Sequence, residues 1–346
     1  MPKRPPFVRH WTELEAAEQG RHPATGEARA FGANLGAAAE LTRLGVRHER
    51  LPPGHRSSPP HAERDEEEMV FILEGTPDLW QDGHLYPLRP GIGIGWADRT
   101  GIAHSIINNS NTPVRYLTIG EASRYNSKVS FPHDLEAAEF FAKRGKIWSD
   151  PPKRRLGPHI GLPNEAGAPL PKGAVKKGLP ANAVDWRALK PITGNTYPND
   201  SELLSDFAHL FPKIGMARIG GGVDLLAPGR RTSWPHAEGD EEEFTFVLEG
   251  TPDVWLDGRL YRLTPGDFVG WPNGTGIAHT VMNNTDAPVR LLTAGEASRK
   301  NARVFYPFHP KHAKTLGERA WTPAKRARQG VHDGLPDAQR KARRRR

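Results

Sequence analysis

An 82-residue block occurs twice in this chain at a constant offset of 175 and without a gap. Leu51–Pro132 aligns with Leu226–Pro307, and 50 of the 82 positions are identical. A chain written this way has to fold one unit twice, and a period of 175 is far too long for a solenoid, whose repeats recur at about 20–50 residues. The first copy reads PPHAERDEEEMVFILEGTPDLW and later TGIAHSIINN, the second WPHAEGDEEEFTFVLEGTPDVW and later TGIAHTVMNN. Groups able to do chemistry recur among the identities: His61/His236, Glu63/Glu238, Glu68/Glu243 and His104/His279.

Within each copy the punctuation is that of short strands. Val46–Leu51 alternates, Met69–Glu74 is an apolar run closed by Gly75, and Leu79–Gln81 leads into Asp82-Gly83, a two-residue hairpin signal. Pro90-Gly91 turns the chain again, and Ala103–Ile107 and Val114–Ile119 read as two further strands around a turn at 108–113. The second copy repeats these signals, with Asp257-Gly258 and Pro265-Gly266 at the matching turns. Many short strands with little helical periodicity read as a small antiparallel barrel or sandwich. The Gly-rich runs Gly91–Gly95 and Ile219–Gly222 match no phosphate-loop pattern and read as turns. Between the copies, 134–145 has helical character, and a Pro/Gly-rich stretch follows as a connector or surface strap. The expected division is 1–132, a first domain with an N-terminal arm packed on it; 133–185, a connector; 186–322, a second domain; and 323–346, a basic tail without a packed core.

The net charge of +8 suggests nucleic acid until its location is counted. From Thr322 onward there are nine Lys/Arg against two Asp/Glu, which leaves 39 against 38 in the preceding 321 residues. The basicity belongs to a segment ending KARRRR, so nucleic-acid binding by a folded surface is not expected. The chain has no cysteine, which excludes disulfides, thiolate metal sites and cysteine nucleophiles. No stretch reaches the roughly 18–20 apolar residues of a membrane span and the N-terminus has no signal-peptide core. A cytoplasmic protein without a membrane partner is the expectation, and a homo-oligomer is allowed.

The motifs resemble those of the cupin superfamily. The first runs Gly229, six residues, His236-Ala237-Glu238, four residues, Glu243, six residues, Gly250, with Gly54, His61, Glu63, Glu68 and Gly75 in the first copy. The second places Pro272-Asn273-Gly274 before His279 and Asn283; the first copy has Ala97-Asp98-Arg99 before His104 and Asn108. The resemblance covers about 90 residues of each half. It implies an all-β chain of two tandem cupin barrels, the double-stranded β-helix or jelly-roll-like fold, with short helices in the connector: a bicupin. It departs from the usual pattern where Glu63 and Glu238 replace the second histidine of His-x-His.

Residues i and i+2 of a strand face one side, so His61 and Glu63 are expected to point inward together. The resemblance implies one divalent ion per barrel, held by His61, Glu63, Glu68 and His104 and by His236, Glu238, Glu243 and His279. That mixture of imidazole and carboxylate suits Mn, Fe or Zn. The second copy retains Pro272, Gly274 and Asp267 of the pattern where the first has Ala97, Arg99 and Ile92, which favours it as the competent centre. The opposing reading makes the glutamates part of a solvated acidic run and the histidines buried structural polars; Asp65, Glu66 and Glu67 are expected to face solvent in either case.

Trp80/Trp255, Tyr86/Tyr261 and Trp96/Trp271 are expected in the core, with a ligand-cavity role open to one of them. Arg56/Arg231 and Arg115/Arg290 are expected on the surface rather than on an anionic substrate. Two functional classes follow. One is a metal-dependent enzyme on a small polar molecule, leaning to a dioxygenase-like oxidoreductase or a lyase or isomerase, with oxygenase and decarboxylase among its forms. The other is a non-catalytic barrel that binds a sugar-like or other small ligand, or serves in assembly.

Overall fold

In the computed structural model, residues 4–122, 127–165, 168–297, 301–324 and 330–344 are described. Each half closes a six-stranded sheet over a three-stranded one. In the first half the large sheet runs in the order Ala183–Asp185, Ile92–Trp96, Glu68–Glu74, Val114–Glu121, Leu44–Leu51, Phe31–Asn34. The small sheet is His84–Pro87, Asp78–Gln81, His104–Ile107. The second half repeats both, its large sheet running Val8–His10, Asp267–Trp271, Glu243–Glu249, Val289–Glu296, Ile219–Leu226, Asp206–His209. At the hairpins, Asp82 and Gly83 have φ of 47° and 82°, and Asp257 and Gly258 of 44° and 85°, the two positive values a tight hairpin turn demands.

The apolar run at 69–72 is buried on both faces, which explains why it shows no alternation. Val70 and Ile72 point into the first barrel with Leu51, Ile94 and Tyr116. Met69 and Phe71 point out, into a cluster shared with Leu210, Phe211, Phe244, Phe246 and Phe268 of the second half. The largest core of the molecule therefore lies between the barrels.

That interface corrects several expectations. The arm does not pack wholly on the first barrel: Val8–His10 pairs with Asp267–Val269 of the second, and Ala183–Asp185 pairs with Ile92–Ile94 of the first. Each barrel thus lends its leading strand to the other. The Gly-rich runs lie in strands rather than turns, and in the first of them glycine is needed because the other half approaches so closely. A Cβ on Gly93 would meet Leu210 Cδ2 at 3.0 Å, and one on Gly95 would meet Ile214 O at 2.7 Å. Glu67 does not face solvent either. It is 2% exposed, and its carboxylate accepts from the backbone N–H of Ala217, Arg218 and Ile219 at 2.8–3.0 Å. Its counterpart Glu242, 1% exposed, accepts from the N–H of Thr42, Arg43 and Leu44 at 2.9–3.0 Å. The exchange is reciprocal, as twofold-related units require. The N–H groups leading into the strands Leu44–Leu51 and Ile219–Leu226 enter the interface without a ladder partner, and a buried donor must be satisfied.

The basic tail is also not a bare extension. Residues 330–337 (GVHDGLPD) repeat 157–164 of the connector (GPHIGLPN), and both dock alike on their own barrels. Trp80 Nε1 donates to His159 O and Trp255 Nε1 to His332 O, both at 2.9 Å. Arg56 and Arg231, expected at the surface, are 5% and 2% exposed; they donate to Gly161 O and Gly334 O and are paired with Glu27 and Glu202. Leu335 is buried. The helix Asp337–Arg344 follows, and Arg345 and Arg346 of the Arg-rich end lie outside the described residues. Among the described residues no helix is long and apolar enough to cross a membrane.

Candidate metal centres

In each barrel two histidines meet across an isolated bridge, His61 with His104 and His236 with His279. The backbones exchange both bonds: His104 N donates to His61 O at 2.9 Å and His279 N to His236 O at 2.8 Å. A glutamate then arrives from the first position of the adjacent inward-facing strand. His61, Glu68 and His104 form one set and His236, Glu243 and His279 the other, each with its ligand atoms within 4.8 Å of one another.

All four imidazoles are held in one way. Nδ1 of His61 and of His236 lies 2.9 Å from the carbonyl of Pro59 and of Trp234. Nδ1 of His104 lies 3.2 Å from Ile102 O and Nδ1 of His279 3.3 Å from Ile277 O. A carbonyl can only accept, so a neutral ring with its proton on Nδ1 turns the Nε2 lone pair to an ion at the centre, the arrangement that prepares a histidine for a metal; without an ion, His279 Nε2 faces the Glu243 carboxylate at 3.2 Å. Trp96 stacks on His104 at 3.7 Å and Trp271 on His279 at 4.1 Å between centroids, which fixes each ring plane. These two tryptophans line the ligand cavities, while Trp80 and Trp255 lie in the core.

The electrostatics fit a cation. Burial pulls His61 and His236 down to about 4, assisted by His104 and His279 respectively. Burial also opposes ionisation of Glu68 and Glu243, but the facing imidazoles outweigh it and hold both carboxyls below their ordinary value. The second carboxylate of each pair suffers the opposite fate. Burial, then the charge of Glu68, pushes Glu63 well above the usual range; burial, then Glu243, pushes Glu238 up to about 9. Two buried carboxylates side by side cannot both ionise unless a cation joins them. His104 Nε2 is buried with no hydrogen-bond partner, an orphan that a bound ion would satisfy. Two imidazoles and one carboxylate with open positions form a donor set suited to a divalent transition metal.

The expected residues are not gathered equally. Glu238 Oε1 lies 3.6 Å from His236 Nε2, and Glu243 Oε2 lies 3.2 Å from His279 Nε2. In the first barrel Glu68 Oε1 lies 3.6 Å from His104 Nε2 and Glu63 lines an adjoining pocket; neither Glu63 nor Glu238 belongs to its barrel's three-ligand set. The cavities above the centres measure about 260 Å³ in the first barrel and about 330 Å³ in the second. Their walls include residues the motif reading missed: Arg29, Arg47 and Glu49 in one, Tyr197, Ser205 and Asp224 in the other. The signal for them was the pairing of Glu27 with Glu202 at the same offset of 175, which extends the duplication upstream of the 82-residue block.

Comparison with known proteins agrees with this geometry. Residues 47–120 and 222–295 each match the cupin domain family, so each half is a cupin domain. The chain as a whole is a bicupin of the cupin superfamily. Quercetin 2,3-dioxygenase of Bacillus subtilis is 22% identical over 263 residues, covering 75% of this chain and 73% of that protein. The crystal structure of Lactobacillus farciminis oxalate decarboxylase in complex with formate superposes with a TM-score of 0.53 at 15% identity, covering 91% of this chain and 92% of that one. A Bacillus subtilis oxalate decarboxylase variant gives 0.53 at 14% identity, covering 90% and 82%. These structural likenesses establish the fold.

Proposed function

We propose that each barrel holds one divalent transition-metal ion, Mn, Fe or Zn, and that the protein is a metal-dependent enzyme acting on a small polar molecule, of oxidoreductase or lyase type. The residues holding the ions are His61, Glu68 and His104, and His236, Glu243 and His279, with Glu63 and Glu238 as the adjoining carboxylates. The observation that carries this reading is the uniform preparation of four imidazoles, each with Nδ1 on a carbonyl and each set gathered with a glutamate so that the ligand atoms lie within 4.8 Å. A solvated acidic run would not show it. The names of the relatives, a dioxygenase and a decarboxylase, fit the same class.

A bound ion supplies Lewis acidity and, if redox-active, one-electron chemistry. The protein does the rest. Trp96 and Trp271 keep the rings from turning. Glu238 stands with Oε1 3.6 Å from His236 Nε2, where it can take up or return a proton. The second barrel offers the more complete set, since both of its glutamates approach its histidines.

The test is metal analysis of the purified chain and of chain reconstituted separately with Mn, Fe and Zn. About two equivalents are expected, falling by one in His104→Ala and by one in His279→Ala. Metal-loaded protein is then assayed for oxygen uptake and for carbon dioxide release on small hydroxylated and carboxylated compounds. No uptake of any of the three metals would overturn the proposal.

A further inference from the structure

The two centres share a ligand set, but their cavities differ in charge. In the first, Arg29 reaches the wall that also carries His61, Glu68 and His104. Its Nε donates to Ser57 O at 2.7 Å, and its two Nη groups have no partner among the described residues. This contrasts with Arg56, whose guanidinium is consumed by Glu27 and Gly161 O. The charge of Arg29 is felt at the centre, where it helps lower Glu68 and His61. A second guanidinium, Arg47, lies on the same wall, paired with Glu49 at 3.2 Å.

At the equivalent positions the second barrel has Leu204 and Gly222. Gly222 cannot regain a side chain, because Ala208 O occupies the place of its Cβ. No Arg or Lys lines that cavity among the described residues; it presents Ser205, Thr232, Thr245, Thr293 and the buried Asp224. An anion entering there would face Asp224 and Glu243 with no guanidinium beside the centre to receive it.

We propose that the first barrel is a carboxylate-binding site, in which the Arg29 fork takes the anionic head of a small ligand beside the metal centre. The second barrel selects a neutral, hydroxyl-bearing ligand. One chain then carries two centres that differ in charge preference. The inference rests on the metal-centre reading of the same cavities, and Arg29 is its specificity-determining residue. A guanidinium with both Nη groups free suits a carboxylate bidentately, and about 260 Å³ accommodates a benzoate-sized molecule.

The experiment titrates the full chain with benzoate and with benzamide, its neutral counterpart, by calorimetry, with metal content measured on every sample. One benzoate site per chain is expected, at least tenfold tighter than benzamide. Arg29→Leu, which copies the second barrel, and Arg29→Gln, which keeps length, should each weaken benzoate at least tenfold and leave benzamide unchanged. Arg29→Lys should recover part of the loss. Circular dichroism confirms that each variant is folded. Metal-loaded variants that bind benzoate like the wild type, or a wild type that does not prefer benzoate, overturn the inference and leave the metal-centre reading standing. Metal-free protein that binds benzoate through Arg29 supports the inference, while metal uptake alone decides the metal-centre reading.

Discussion

Replacing Glu242 by alanine tests the interface between the barrels most directly. The carboxylate is 1% exposed and accepts four hydrogen bonds from the other half: from Thr42 N and Oγ1 through Oε1, and from Arg43 N and Leu44 N through Oε2, all at 2.9–3.0 Å. Alanine leaves three backbone donors without a partner, each costing about 1–3 kcal/mol when buried. Water entering the vacated space lowers the sum toward the bottom of that range, so about 4 kcal/mol is expected. Glutamine should cost about half as much, since its amide keeps one acceptor oxygen and puts a donor NH₂ in place of the other. Urea unfolding monitored by tryptophan fluorescence gives the stabilities, and hydrogen exchange gives the protection of amides 42–44. At roughly 2 °C per kcal/mol for a chain of this size, the alanine variant should melt about 8 °C lower. The double variant Glu67→Ala/Glu242→Ala should separate the barrels into two transitions. Stability within 1 kcal/mol of wild type, with amides 42–44 still protected, would refute the reasoning.

Three further outcomes are expected. Deleting residues 330–346 should destabilise the second barrel by about 3 kcal/mol or more, since it removes buried Leu335 and the carbonyl partners of Trp255 and Arg231; an unchanged melting temperature would contradict the docking described. Burial, opposed by hydrogen bonds from Ser205 and Thr293, pushes Asp224 up to about 6, so the folded state holds that proton more tightly than the unfolded chain and loses stability as pH rises from about 4 through 6. Asp224→Asn should therefore gain up to about 3 kcal/mol over wild type at pH 7 and nothing below pH 4, read from urea midpoints at both pH values. Chelation should lower the melting temperature of metal-loaded wild type and leave the His104→Ala/His279→Ala double variant unmoved, since only an ion bound to the native state stabilises it.

The sequence made the duplication, the strand order around the hairpins and the chemical residues readable, because each has a local cause: turn residues at fixed places and a strand period of two. It misled where a cause lies in the other half. Gly93 and Gly95 read as turn formers because Leu210 and Ile214, which press on them, are more than 100 residues away. Glu67 read as solvated because it belongs to an acidic run, and its partners Ala217–Ile219 carry no pattern that announces them. The tail was hidden for a different reason. Its match to the connector lies at an offset of 173 instead of 175, so a gap-free comparison passes over GVHDGLPD and sees only positive charge.

The exchange of leading strands sets a timetable for the nascent chain. Val8–His10 is made first, yet its partner Asp267–Val269 emerges about 260 residues later, roughly 13–50 s at ordinary rates of synthesis. Through that interval the first barrel stands with Met69, Phe71, Leu117 and Ile119 bare. The edge of its strand Ile92–Trp96 also waits for Ala183–Asp185. Neither half can complete itself, so a gene split between them would yield two sticky fragments in place of two small proteins. The duplication that created the second barrel also made each copy the last folding step of the other.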